Sequence, residues 1–167
     1  MQLLTDLWEI AMKVSEIMTA DLKSCRPDTP LAGVAAMMAE SDLRLLPVVD
    51  DGHRLHGAIQ QRDVCRTLAR FLGMLSGMRA SDVMHAGLVC DPEDDVRTAL
   101  KLMNERQVEE LTVVDRLGVV QGVLSMTDII LHASHESPRN LLSDSEVMRV
   151  LKAICSRRSS RRHAAAM

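Results

Sequence analysis

The stretch Pro47-Val48-Val49-Asp50 decides the fold, because it returns later in the chain as Thr112-Val113-Val114-Asp115. The numbering of the two stretches differs by 65, and residues on both sides of them recur at the same offset. Gly57 matches Gly122, Asp63 matches Asp128, Cys25 matches Cys90, and Pro27 matches Pro92. Further upstream, Ser15-Glu16-Ile17-Met18 matches Ser81-Asp82-Val83-Met84 at an offset of 66, so the second copy has lost one residue. The chain is therefore a tandem duplication.

An amphipathic helix is predicted in each copy, since apolar residues recur at i, i+3, i+4 and i+7. These residues are Leu31, Val34, Ala35 and Met38 in the first copy and Val96, Ala99, Leu100 and Met103 in the second. Thr29 followed by Pro30, and Asp94 in the equivalent place, suit helix N-caps.

Short β-branched runs after these helices predict a hairpin in each copy, with strands at 45–49 and 56–59 and at 111–114 and 119–124. A second helix follows each hairpin, over 62–72 and 127–133. Each copy is thus a β-α-β-β-α unit, and the fold class is α/β (α+β). One copy of about 55 residues is too small to bury a core alone, so the two copies are expected to pack on each other.

The composition excludes several classes of protein. Hydrophobic residues make up 47% of the 167 residues and charged residues 26%, which is typical of a folded domain. Trp8 and Phe71 are the only aromatic residues, so recognition of nucleic acid or sugars by stacked rings is largely excluded. No apolar run approaches the roughly 18 residues that cross a bilayer, and the first residues do not form a signal peptide. We expect a cytoplasmic protein with no membrane contact.

The charge is unevenly distributed along the chain. All 23 acidic residues precede Ser156, where 16 basic residues leave a net charge of −7 on residues 1–155. Four arginines follow: Arg157, Arg158, Arg161 and Arg162. A solvated, disordered basic tail is the expected structure, and a weak electrostatic contact with nucleic acid or an acidic partner is the alternative.

Three motifs together resemble a known family. They are Ile17-Met18-Thr19, Leu46-Pro47-Val48-Val49-Asp50 and Gly57-Ala58-Ile59-Gln60-Gln61-Arg62-Asp63, the last repeated as Gly122-Val123-Leu124-Ser125-Met126-Thr127-Asp128. This pattern resembles the CBS (cystathionine β-synthase) domain, and two in tandem resemble a Bateman module. The resemblance covers about residues 14–135. It implies two repeats packed with pseudo-twofold symmetry, two clefts for adenosine-containing ligands, and a regulatory rather than catalytic role.

The expected domain organisation follows from the repeat and the resemblance. An N-terminal helix covers 1–13, the first CBS domain 14–72 and the second 80–135. Residues 136–167 form a C-terminal helix and the basic tail. Within that region Ser143 and Glu146 have capping-box spacing, and an amphipathic helix is predicted over 144–155. This helix could pack on its own module or across a dimer, and we favour the dimer.

The resemblance implies one ligand site around the Gly-hydrophobic-x-Thr/Ser-x-x-Asp motif of the second copy. Asp128 would accept the ribose 2′- and 3′-hydroxyls, beside Ser125 and Thr127 at a helix start that offers N–H groups to phosphate. The first copy would supply the remaining walls: Thr19, Leu22, Lys23, Arg44, Leu45 and Pro47. Ser-x-x-Asp at a helix start is also a capping box, so a purely structural role for Ser125 and Asp128 stays open.

A second site, expected to be weaker, would surround Asp63. Here Gln60 stands where the motif has a hydroxyl residue, beside Arg62. The other copy would contribute His85, Leu88 and Val89, together with Glu109 and Glu110, whose carboxylates would repel phosphate. We predict at least a tenfold preference for the Asp128 site, about 1.4 kcal/mol. Gln60→Thr should narrow that gap.

Catalytic chemistry is not expected, because the chain has no P-loop, Rossmann glycine motif, nucleophile elbow or HExxH. His132 and His135 are interpreted as an ordinary pair at a helix end, so no metal site is predicted. Cys25, Cys65, Cys90 and Cys155 form no CxxC pair and are expected to be reduced. No cofactor is required; AMP, ATP or NAD would be a regulatory ligand.

Two functions therefore remain. The first is a sensor of adenosyl ligands that acts on a separate, unidentified protein. The alternative is a ligand-free dimerisation or partner-interaction protein, with nucleic acid not the expected partner. A homodimer is predicted because the second helices carry excess apolar residues. These are Val64, Leu68, Phe71 and Leu72 in the first copy and Ile129, Ile130 and Leu131 in the second.

Overall fold

The computed structural model describes residues 12–71, 77–133 and 144–164, with side chains as far as Ser156. The first copy contains α1 (Val14–Ile17), α2 (Leu31–Glu40), β1 (Leu45–Val49), β2 (Leu55–Gln60) and α3 (Gln61–Phe71). The second contains a 3₁₀ turn (Ala80–Asp82), β3 (Val89–Cys90), α4 (Val96–Arg106), β4 (Glu110–Val114), β5 (Val120–Ser125) and α5 (Met126–Ala133), followed by α6 (Asp144–Ala164). This confirms the predicted mixed fold of helices and small sheets. No helix in the described ranges has the length and apolar character to cross a membrane.

The chain divides into two compact units that cut across the order of the sequence. The first-copy unit comprises Asp21–Val89 and Val114–Gly122. The second-copy unit comprises the described residues up to Ala20, Cys90–Val113 and the described residues from Val123 onward. Each unit therefore contains the segment that precedes the other copy in sequence. We call these the lead segments: residues 12–19 belong to the second-copy unit and residues 78–85 to the first-copy unit.

The lead segments are held by equivalent backbone hydrogen bonds. In the first-copy unit, the N–H of Leu31 donates to the carbonyl of Met78 at 2.9 Å, and that of Ala80 donates to Thr29 at 2.8 Å. In the second-copy unit, Val96 donates to Met12 and Val14 donates to Asp94, both at 2.9 Å. Ala80 and Val14 are both fully buried at the ends of these segments. The duplication thus extends to the bonds that close each unit.

The two cores repeat position by position. In the first-copy unit, β1 pairs antiparallel with β2, and α2 covers them with three buried side chains, Leu31, Val34 and Met38. The rest of that core consists of Cys25, Leu46, Val48, Ile59, Val64 and Ala80. In the second copy, β3, β4 and β5 form one sheet in that order. Its buried residues at the equivalent positions are Cys90, Val96, Ala99, Met103, Leu111, Val113, Leu124 and Ile129.

The predicted N-caps were wrong by one residue in both copies. The N-cap residues are Pro30 and Asp95, and the Asp95 carboxylate accepts the N–H of Arg97 at 2.8 Å. Thr29 and Asp94 instead close the preceding turn. The Thr29 hydroxyl accepts the N–H of Arg26, and the Asp94 carboxylate accepts that of Asp91, both at 3.0 Å. Because these side chains already accept hydrogen bonds in the turn before the helix, they do not cap the helix.

The hairpin turns are set by one aspartate each. Oδ1 of Asp50 accepts the N–H groups of Gly52 and Arg54 at 2.9 Å. Oδ1 of Asp115 accepts those of Leu117 and Val119 at the same distance. Together with the His56 side chain, these backbone N–H groups hold the pKa of the Asp50 carboxyl below its ordinary value, with the Arg54 bond the largest cause. The turns match the predicted hairpins.

Helix α6 corrects two expectations. It packs on α4 and α5 of its own unit and buries Val147, Val150 and Ile154, so the docking across a dimer that we favoured is wrong. It also runs to Ala164, through residues expected to form a disordered tail. The segment after Cys155 contains no glycine or proline, and arginine and alanine both favour helix.

Several predictions concern residues outside the described ranges. The N-terminal helix predicted over 1–13 lies there except for Met12 and Lys13, and Lys13 forms a β-bridge with Asp95 instead of a helical turn. Leu72 and His135 also lie outside the described residues, as do the side chains of the four tail arginines.

Candidate functional site

The second copy places its carboxylate at the junction of β5 and α5. The strand ends at Ser125 and the helix begins at Met126, so Asp128 lies in the first helical turn. Oδ2 of Asp128 accepts the backbone N–H of Ser125 at 2.8 Å and its hydroxyl at 2.6 Å. The N–H of Asp128 donates back to the Ser125 hydroxyl at 3.1 Å. This is the reciprocal capping arrangement, and it leaves Oδ1 of Asp128 without a partner among the described residues.

The first copy has the same junction with a different set of partners. Here β2 ends at Gln60, α3 begins at Gln61, and Oδ2 of Asp63 accepts the N–H of Gln60 at 3.0 Å. The same oxygen lies 3.1 Å from Nε2 of His85. Oδ1 lies 3.5 Å from the guanidinium of Arg66, one turn along the helix. Asp63 is 13% exposed at its side chain, and each of its oxygens faces a cationic or potentially cationic group.

The lead segments bring Thr19 and His85 to these junctions. Thr19 exchanges backbone hydrogen bonds with Val123, at 2.9 and 3.0 Å, two residues before Ser125. His85 exchanges the same pair with Ala58, at 3.0 and 2.9 Å, two residues before Gln60. Thr19 and His85 are equivalent at the offset of 66. His85 thereby contacts its assigned carboxylate, Asp63, whereas Thr19 is placed by its backbone opposite Val123, on the strand that leads to Asp128.

The other predicted residues lie as follows. Thr127 is exposed on the first turn of α5, and Arg62 is exposed on the first turn of α3. Leu88 is half-buried, and Val89 is 44% exposed at the start of β3. The residues expected to serve Asp128 from the first copy belong to the first-copy unit: Leu22, Lys23, Arg44, Leu45 and Pro47. Leu45 and Pro47 are buried in β1.

Backbone bonds tie Arg44 and Glu109 to the helix starts of their own copies. The carbonyl of Arg44 accepts the N–H of Gln61 at 2.9 Å, and that of Glu109 accepts the N–H of Met126 at 2.8 Å. Glu110 is the first residue of β4. The sequence analysis assigned these side chains to the opposite copy's carboxylate.

Two polar residues near these elements were missed. Arg66 was not considered, although its i, i+3 spacing from Asp63 on a predicted helix was a usable signal. Thr112 is fully buried in β4, and its hydroxyl has no hydrogen-bond partner in the described structure. Thr112 stands where the first copy has Pro47, and nothing in the sequence distinguishes a buried threonine there from an exposed one.

All four cysteines are free, and two of them are buried. Burial raises the pKa of the Cys25 thiol to about 11 and that of Cys90 to about 12, so both are neutral near pH 7. They act as small apolar side chains, as their equivalent positions predicted. No cluster of potential metal ligands occurs among the described residues, and Nδ1 of His132 lies 2.8 Å from the backbone carbonyl of Asp128.

Comparisons with known proteins cover most of the chain. The CBS domain family matches residues 14–70 and 80–135. Inosine-5′-monophosphate dehydrogenase of Mycobacterium tuberculosis is 34% identical over 119 residues, which are 71% of this chain but 22% of that protein. The gamma subunit of the 5′-AMP-activated protein kinase of Saccharomyces cerevisiae is 27% identical over 68% of this chain and 38% of its own length. The chain thus spans about a fifth of the dehydrogenase.

Solved structures give the same fold. A conserved CBS domain protein from Thermoplasma acidophilum superposes with a TM-score of 0.69 at 22% identity, covering 86% of this chain and 76% of that one. CBSX2, a CBS-pair protein of Arabidopsis thaliana solved in complex with AMP, gives 0.65 at 25% identity over 72% and 95%. Hypoxic Response Protein I, solved with two coordinated zinc ions, gives 0.65 at 25% identity over 72% and 98%.

Proposed function

This chain belongs to the CBS domain family, and from that premise we propose that it senses an adenosyl ligand through Asp128 and regulates a separate protein. AMP, ATP and NAD are the candidate ligands, because all three carry a ribose with vicinal hydroxyls. The complex of CBSX2 with AMP, at 25% identity, supports this ligand class.

The state of the Asp128 carboxylate carries the proposal. Oδ2 is committed to Ser125, whereas Oδ1 has no partner among the described residues. A carboxylate oxygen with free lone pairs can accept hydroxyl hydrogen bonds from a ribose. The capping role and the binding role therefore use different oxygens of one side chain, and neither excludes the other.

The surroundings of Asp128 suit the rest of a nucleotide. Thr127 is exposed on the first turn of α5, where its hydroxyl is available to an anion. Under the proposal, Thr19, which belongs to the same unit as Asp128, would line the ribose.

Thermal unfolding with and without AMP, ATP or NAD tests the proposal. A ligand at about 100 times its Kd stabilises the folded state by about 2.7 kcal/mol. For a chain of this size, that raises Tm by about 5–10 °C. Asp128→Ala should abolish the increase even though it also lowers Tm by removing the cap.

Asp94→Ala is the matched control for that experiment. The Asp94 carboxylate also closes a turn of the second-copy unit through one backbone N–H, so its loss should lower Tm similarly. The ligand-induced increase should survive in this variant. If none of the three nucleotides changes the Tm of the wild-type protein, the alternative of a ligand-free interaction protein stands.

We also propose that the chain forms a homodimer, for which exposed apolar side chains are the support. On α3, Leu68 is 40% exposed and Phe71 is 50% exposed. On α5, Leu131 is 59% exposed and Ile130 is 37% exposed. Val64 and Ile129 are buried within their own units, so they are removed from the interface expected from the sequence.

A further inference from the structure

The two motif carboxylates, Asp63 and Asp128, differ in the groups that they already contact within the protein. Asp128 is bonded to Ser125 of its own turn, through Oδ2. Asp63 has one backbone bond, from Gln60, and in addition faces His85 at 3.1 Å and Arg66 at 3.5 Å. Both oxygens of Asp63 are therefore engaged inside the protein, whereas one oxygen of Asp128 is open within the described structure.

We propose that His85 determines the ligand stoichiometry of this chain by closing Asp63 to ribose hydroxyls, so that one adenosyl ligand binds instead of two. The inference rests on the proposed function, because it assumes that such ligands bind through the motif carboxylates. Arg66 supports the closure from the helix side. His85 thus acts as a specificity-determining residue through Asp63.

Competition for the same oxygen is the physical reason. Nε2 of His85 lies within hydrogen-bond distance of Oδ2, and Oδ2 also accepts the Gln60 N–H. A ribose hydroxyl would have to displace the imidazole from a carboxylate whose side chain is only 13% exposed. Leaving a partly buried carboxylate interaction unmade is costly, so the intramolecular partner, which loses no translational freedom, is favoured.

The duplication identifies His85 and Arg66 as the differences that matter. At the offset of 66, His85 corresponds to Thr19, which makes the same backbone exchange with its strand but carries a short neutral side chain. At the offset of 65, Arg66 corresponds to Leu131. The residues of the second copy equivalent to His85 and Arg66 are therefore both uncharged, Thr19 and Leu131.

Calorimetric titration with AMP at pH 7 tests the inference through the number of sites. Wild-type protein should bind one equivalent, and His85→Thr should bind two, with affinity at the Asp63 site increased at least tenfold. The replacement is the residue that the other copy uses, and the His85 side chain is 41% exposed, so the variant should fold. Circular dichroism and Tm verify this.

Two further variants locate the new site. His85→Thr combined with Asp128→Ala should again bind one equivalent, and adding Asp63→Ala should abolish that binding. Gln60→Thr is the comparator, because it restores the hydroxyl of the motif but keeps the contact between His85 and Asp63. Its gain in affinity should be smaller than that of His85→Thr. Thr19→His should weaken binding at Asp128.

The outcomes separate this inference from the proposed function. One equivalent in both the wild-type protein and His85→Thr would leave the sensing function intact and overturn the role of His85. Two equivalents in the wild-type protein would overturn it as well. No binding by either protein would overturn the sensing function and, with it, the inference.

Discussion

Gly57 lies where the second lead segment crosses β2, and the approach is close. A Cβ at this position would lie 2.9 Å from the backbone carbonyl oxygen of His85 and 3.2 Å from Sδ of Met84. The sulfur can move, but the carbonyl is held by the bond from Ala58. Gly57 is therefore required for packing and not for an unusual backbone angle.

Gly57→Ala should lower the free energy of unfolding by about 1–3 kcal/mol, the usual cost of overpacking. Urea denaturation measures the change. Gly33→Ala is the control, since its Cβ would meet only Cγ2 of Thr29 at 3.8 Å and it lies inside α2. That variant should gain about 0.5–1 kcal/mol from helix propensity. Equal effects of the two substitutions would contradict the close approach.

The four thiols should separate into two classes at neutral pH. A thiol reagent should label Cys65 and Cys155, which are exposed, in the folded protein, and all four cysteines in urea. The pKa of Cys25 is raised to about 11 and that of Cys90 to about 12, above the ordinary value of 9.0 that the unfolded chain would have. Because the unfolded chain loses these protons first, stability should fall as pH rises above about 9. Cys25→Ala should reduce this dependence.

The recurrence of one motif predicted the candidate carboxylates from the sequence, but it could not predict their hydrogen-bond partners. Ser125, Asp128 and Asp63 were predicted from one motif read twice, and the structure places each at a strand-to-helix junction. The contact of His85 with Asp63 depends on the direction of the His85 side chain within its lead segment. The periodicity of apolar residues does not predict that direction. For the same reason the cap shifted from Thr29 to Pro30: both residues suit a helix start, and only the turn bond to Arg26 decides between them.

Among the elements, the hairpin strands and the helix after each hairpin match the predicted bounds to within two residues at each end, and α6 does not. The strand predicted at the start of the first copy was wrong, because only a single bridge between Cys25 and Val48 is present there. Periodicity places a helix in 144–155 because apolar residues stop repeating there. A helix ends where residues no longer favour the helical backbone conformation, and no glycine or proline occurs between Cys155 and Ala164, where α6 ends. The surface that α6 covers also could not be predicted, because the apolar face of a helix shows that it packs on something but not on which element.

The docking of α6 on its own unit gives a direct stability prediction. Ile154 is 2% exposed, so Ile154→Ala should cost about 2–4 kcal/mol of unfolding free energy. Met148→Ala on the same helix is the control, because Met148 is 48% exposed and its loss should cost less than about 0.5 kcal/mol. Urea denaturation of both variants makes the comparison. A small cost for Ile154→Ala would indicate that α6 leaves α4 and α5 in solution.

At the scale of the whole molecule, sedimentation equilibrium tests the proposed homodimer. The wild-type protein should have twice the mass of one chain at micromolar concentration, and Phe71→Asp should shift it to the monomer, whose mass is 18.5 kDa. A charge on a half-exposed side chain is tolerated by the monomer but must be desolvated in an interface. Leu117→Asp, at a 71% exposed turn position, should leave the dimer unchanged. A wild-type mass near that of a single chain would exclude the interface.

The duplication could be read from the sequence, but the exchange of the lead segments could not. The only sequence feature related to this exchange is the change of offset from 66 to 65 between Met18 and Cys25. It indicates no more than that the link after each lead segment tolerates a change of length. Which copy a segment pairs with is decided by long-range backbone bonds, such as Thr19 with Val123. Local patterns carry no information about pairs so distant in sequence.

The exchanged lead segments also set an order of events during synthesis. The first lead segment leaves the ribosome before any other described part of the chain, yet its partner strand, at Val123, is among the last to be made. The first-copy unit likewise stays incomplete until His85 and then Val114–Gly122 have emerged. Chains grow at about 5–20 residues per second, so residues 12–19 wait for seconds without their partner. The first-copy unit is therefore completed before the second-copy unit, although residues 12–19, the first described residues to be made, belong to the second-copy unit.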